Sequence, residues 1–146
     1  MFVVGVFKDI AWADRGLAAL VADGFDPAAL SVLARASPEV EALVRTHLRS
    51  SADARELPRL GQVTTAGPLM PALSGADGRL ERAGLSAVCG RAGFLPHDGH
   101  IYEALVERGG VLVAVEHGAR AAEALARLHA FGAGNAALGT YPRAAV

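Results

Sequence analysis

A stretch of 31 residues near the start of this chain returns near its end, in register and without a gap. Residues 3–33 align with residues 111–141 at a constant offset of 108, and eleven of the 31 pairs are identical. Six of the eleven are Ala, which an Ala-rich chain supplies cheaply. The weight rests on Val3/Val111, Leu17/Leu125, Leu20/Leu128, Gly24/Gly132 and Leu30/Leu138, which fall at the positions of a strand, a helix core face, a helix stop and a second strand. A repeated strand–helix–strand unit cannot bury its own apolar sheet face, so the two copies must pack together. The expected fold is α+β: a ferredoxin-like four-stranded antiparallel sheet built from two pseudo-symmetric βαβ halves, at about residues 2–34 and 110–141, with both helices on one face. The apolar strands Phe2–Phe7 and Val111–Val115 are expected at the centre, with Leu30–Ala34 and Ala136–Tyr141 outside.

Local signals support that grammar. Asp9 offers an N-cap, Ile10, Ala13, Leu17, Leu20 and Val21 recur at helical spacing, and Gly24 stops the helix because glycine enters the left-handed region without a Cβ clash. Between the halves lies a mainly helical insertion, about residues 35–109, and the whole chain reads as a single domain. Ser37-Pro38 opens a helix whose stripe is Val40, Leu43, Val44 and Leu48. Residues 50–59 are polar and expected as a loop. Gln62–Ala66 carries β-branched residues and is expected as an extra strand. Leu69–Gly93 is rich in Gly and Ala, and Pro96–Arg108 reads as a helix ending at Gly109-Gly110, with Ile101, Ala104 and Leu105 facing inward.

Composition bounds the function. More than half of the residues are apolar and the formal net charge is −1, which argues against a general binder of nucleic acid or anionic membrane. Arg45, Arg49, Arg55 and Arg59 with His47 are the main basic concentration, but Asp53 and Glu56 dilute it and no aromatic residues interleave to stack bases. Nucleic-acid binding is therefore not expected. No apolar run approaches the ~18 residues of a membrane span. The N-terminus lacks a basic signal-peptide region, so a cytoplasmic protein is the expectation. Cys89 is the single cysteine and is expected to be buried and inert, since a reactive thiolate needs an electropositive setting.

The stretch Ala66-Gly67-Pro68-Leu69, the Gly/Ala-rich segment after it, Pro96, Tyr102-Glu103 and Arg108-Gly109-Gly110-Val111-Leu112-Val113-Ala114-Val115 resembles bacterial general stress proteins of the 17M type, also called heat-induced stress protein domains. The Val-rich first strand and Gly24-Phe25-Asp26 fit the same pattern. Asp77, Arg79, Glu81 and Arg82 interrupt the longer glycine-rich helix pair of that family. The resemblance implies an accessory, non-catalytic role in stress physiology and supplies no catalytic residues.

The densest polar cluster is His97-Asp98-Gly99-His100 with Tyr102-Glu103. Neutral imidazole and carboxylate suit a divalent ion, but His97 and His100 share a face only if Gly99 is helical, which glycine disfavours. Asp98 is expected instead to cap the helix. His97, His100, Tyr102 and Glu103 stand as ligand-binding candidates, with no catalytic residue, cofactor or metal assigned. Tyr102 is expected to be structural, and His47 and His129 to be partly buried structural histidines. The function expected is a non-catalytic, stress-associated or regulatory interaction module working as a homodimer. Its exposed outer strands or the apolar insertion would form the interface. The alternative is a small-ligand or metal sensor with its site near residues 97–103.

Overall fold

The computed structural model describes residues 2–116 and 118–134. They form an α+β fold of five strands and seven α-helices. The strands are β1 (Phe2–Phe7), β2 (Leu30–Arg35), β3 (Asp53–Leu57), β4 (Gly61–Ala66) and β5 (Val111–Glu116). The helices are α1 (Ile10–Ala22), α2 (Pro38–His47), α3 (Leu69–Ser74), α4 (Arg79–Ala83), α5 (Leu85–Val88), α6 (Pro96–Glu107) and α7 (Ala121–Ala130). The sheet order is β1-β5-β2-β4-β3, and every neighbouring pair is antiparallel. Both β1 and β2 run against β5, which lies between them, so β1–α1–β2 is a split βαβ unit.

Five strands replace the expected four because the insertion adds the hairpin β3–β4 to the edge of β2. That pairing moves β2 from the expected edge to the interior. The strand expected at Gln62–Ala66 is β4, whereas the polar stretch expected as a loop holds β3. Period-two apolar patterning is missing from β3 because only Leu57 is buried; Asp53, Ala54 and Glu56 are exposed. Beyond β1, Gly134 exchanges both backbone hydrogen bonds with Val6, at 2.7 and 2.8 Å. The strand expected at Ala136–Tyr141 lies outside the described residues.

The two repeat helices, α1 and α7, lie on one face of the sheet as expected, and helices of the insertion cover the other. α1, α2 and α7 pack on the face that presents Phe7, Val32, Val111, Val113 and Val115. The remaining insertion helices, α3 to α6, pack on the opposite face, against Val4, Val6, Leu33, Leu112 and Ala114. This explains the almost unbroken apolar runs of β1 and β5: alternate side chains enter two different cores. It also places the insertion's apolar residues. Leu69, Leu73, Leu80, Leu85 and Val88 are consumed by their own core and do not form an outward interface.

The helix ends follow the sequence signals. Asp9 Oδ1 accepts from Trp12 N at 2.9 Å, and Ser37 Oγ from Val40 N at 3.2 Å. The repeat is most exact at the ends of α1 and α7. Gly24 N–H donates to Val21 O and Phe25 N–H to Leu20 O, while Gly132 N–H donates to His129 O and Ala133 N–H to Leu128 O. These are two Schellman caps 108 residues apart, and their glycines have φ of 87° and 86°. Among the described residues no helix is long and apolar enough to cross a membrane.

Candidate functional site

Helix α6 carries all four candidate residues and sorts them into three environments. Its N-cap is Leu95, and no side chain caps it. Asp98 therefore lies inside the first turn, where a carboxylate complements the helix dipole without capping. Gly99 is helical, contrary to expectation, with its N–H donating to Leu95 O at 3.1 Å. The reason is packing. A Cβ on Gly99 would meet Cys89 Cβ at 3.0 Å and Ser86 Cα at 3.3 Å, so only glycine lets α6 lie this close to the chain at Ser86–Cys89. The inward stripe is accordingly Gly99, Tyr102, Glu103, Leu105 and Val106, with Ile101 and Ala104 only partly covered.

His97 and His100 both lie on the exposed side of the first turns. Because Gly99 is helical, they are three residues apart on one face. Tyr102 is buried and meets Phe94 edge to face, with ring centroids 5.7 Å apart and planes at 77°. Glu103 is the one charged residue among the buried described residues. Its Oε1 lies 3.2 Å from Arg59 Nη1, Ser86 N–H approaches Oε2 at 3.4 Å, and Ser86 Oγ lies 3.4 Å from Oε1. Arg59 Nη2 also donates to Glu107 Oε1 at 3.0 Å. A buried carboxylate without such partners would cost several kcal/mol, so Arg59 is what makes Glu103 tolerable there.

Arg59 and Ser86 were not legible as partners of Glu103, since they lie 44 and 17 residues away in sequence. Arg59 itself holds φ at 67°, the one non-glycine with positive φ among the described residues. It follows Pro58 in the β3–β4 connection, the pattern of a type II turn whose third position suits glycine. The arginine accepts that conformation and sends its guanidinium to α6.

The remaining titratable groups have structural partners or none. Cys89 is buried, and burial pushes its thiol up to about 12, helped by the negative charges of Glu103 and Asp98. Its thiol is thus held neutral, as a small apolar group. His47 Nε2 lies 2.6 Å from Asp14 Oδ1 and ties α2 to α1. His129 is exposed, where partial burial was expected, because the flank of α7 that carries it turns away from Ala124 and Leu128. Of the basic concentration, Arg55 is drawn to Asp53 and Glu81 and Arg59 to Glu103 and Glu107. A cleft of about 400 Å³ opens by the start of β3, lined among others by Ser50, Asp53, Arg55, Thr65 and Met70; it takes in none of the four α6 candidates.

No family model, characterised protein or solved structure matches this chain. What the site can do rests on its own geometry. Among the described residues no three His, Cys, Asp or Glu side chains are grouped to hold a metal ion within one chain. Every buried side-chain nitrogen or oxygen among them has a hydrogen-bond partner.

Proposed function

We propose that the chain is a non-catalytic interaction module that acts as a homo-oligomer, a dimer in its simplest form. The observation that carries this reading is Leu95, a large apolar side chain left 67% exposed at the entry to α6. It stands beside His97 and His100, also exposed, while the residues behind them are tightly packed. A single exposed leucine is ordinary on a protein surface, so Leu95 stands here as the apolar contact that such an interface would use, with the two imidazoles at its rim. The interior chemistry fits the same reading: Glu103, the buried carboxylate, is engaged by Arg59 and Ser86, and the Cys89 thiol is held neutral.

The interface favoured is the entry to α6 and not a sheet edge. The outer strand β3 exposes Asp53 and Glu56, and edge charges of this kind oppose strand pairing. A second reading, a small-ligand or metal sensor around residues 97–103, is favoured by one observation: helical Gly99 aligns the two imidazoles. The stress-associated role in a bacterial cytoplasm rests on the motifs of residues 66–115 that resemble general stress proteins, and no family model adds to it. The split βαβ unit and the matched caps of α1 and α7 support a ferredoxin-like core to which the β3–β4 hairpin has been added. Sedimentation equilibrium of the parent and of Leu95→Asp tests the association: the parent is expected as a dimer at micromolar concentration and the variant as a weaker one. A parent that stays monomeric would remove the reading.

A further inference from the structure

We propose that His97 and His100 form half of a divalent-metal site, of the zinc class, that a second copy of this chain completes. The proposal rests on the homo-oligomer reading and names what joins the copies. Three observations carry it. First, the two imidazoles lie on one exposed face of α6, one turn apart, because Gly99 continues the helix between them. Side chains three residues apart on a helix are neighbours at about 5–6 Å between Cβ atoms, and their rings can converge on one ion at about 2.0–2.1 Å from each nitrogen. Second, no hydrogen bond or ion pair holds either ring among the described residues, so both ring nitrogens are open to coordination. His47, by contrast, is tied to Asp14.

Third, the described residues of one chain supply too few donors. Among the described residues no third His, Cys, Asp or Glu joins a group that could hold a metal. A closed zinc site takes four ligands in tetrahedral geometry. Two copies facing each other across a twofold axis supply two imidazoles each, and such an isologous contact repeats the same patch on both sides. Leu95, the most exposed large apolar side chain among the described residues, precedes the first turn and would pack beside the ion. Glu103 is not a ligand of this site, because it is buried and held by Arg59 on another side of the helix.

The test uses the whole chain with zinc chloride or with EDTA. Titration calorimetry reads the stoichiometry of zinc binding, and sedimentation equilibrium reads the mass. The expected result is one zinc per two chains and a dimer dissociation constant at least ~10-fold lower in zinc than in EDTA, since an ion that binds only the dimer favours it by mass action. His97→Ala/His100→Ala is expected to abolish the zinc response and keep the zinc-free association. Leu95→Asp is expected to weaken association with or without zinc. Both changes are at exposed positions, and circular dichroism checks that the fold is kept. One zinc per monomer with no change in mass would overturn the shared site. So would association indifferent to zinc, an outcome that leaves the homo-oligomer reading standing. A monomer in both conditions with no zinc uptake would sink both.

Discussion

Arg59 holds Glu103 across 44 residues of sequence, with Nη1 3.2 Å from Oε1, from a backbone position with φ of 67° that glycine would occupy more easily. The left-handed conformation costs an ordinary residue roughly 1–2 kcal/mol. The contact offsets it by neutralising a carboxylate that is 3% exposed. The arginine is itself half exposed, so water screens the pair and the exchange is a modest one.

Arg59→Ala keeps the strain and loses the partner, and is expected to destabilise the fold by about 2–3 kcal/mol. Arg59→Gly loses the partner but relieves the strain, and should be about 1 kcal/mol more stable than Arg59→Ala. Urea unfolding of both variants measures the difference. A glycine variant no more stable than the alanine variant would contradict the account of the turn.

Gly99→Ala sets two effects against each other. Alanine favours a helix over glycine by about 1 kcal/mol, but its Cβ would sit 3.0 Å from Cys89 Cβ and 3.3 Å from a backbone carbon of Ser86. Backbone cannot yield as a flexible side chain can, so overpacking of about 1–3 kcal/mol should win. A rise in melting temperature on this substitution would show that α6 has room to move away.

Cys89 is expected to react with an aromatic disulfide reagent only as fast as the chain opens. The folded thiol titrates at about 12 against an ordinary 9.0. Its pKa is raised, so its contribution to stability is fully present below pH 9 and is lost as pH rises toward 12. Unfolding midpoints should therefore fall between pH 9 and 10.5 in the parent, and fall less steeply in Cys89→Ala. Fast labelling of the native protein would contradict the burial.

Acid acts through a different group. Asp77 receives a hydrogen bond from Arg91 Nη2 at 2.6 Å, and that bond, with another from Arg79 N–H, holds its carboxyl below its ordinary 3.8. Its contribution is present above that ordinary value and lost as pH falls through the lower, folded one. Asp77→Asn should flatten the acid limb of a stability–pH curve below about pH 4. An unchanged limb would mean that the pair is silent in solution.

Much of the fold was legible because it depends on local chemistry. Asp9 and Ser37 mark helix starts through their own side chains, and Gly24 and Gly132 mark stops through their φ. What was illegible depends on distant partners. β3 has one buried residue, and its pairing is fixed by β4, so its sequence reads as loop. The helical state of Gly99 is set by contact with Ser86 and Cys89, against its own propensity. Of the four candidates, Glu103 and Tyr102 proved buried and His97 and His100 exposed, a division fixed by which side of α6 faces the sheet.

The central claim is that this chain works by associating with itself, and its mass in solution tests it most directly. Sedimentation equilibrium across the micromolar range, with zinc chloride and with EDTA, should give twice the 15.0 kDa of one chain at the upper concentrations, the more completely with zinc. A mass of one chain throughout, in both conditions, would contradict the account.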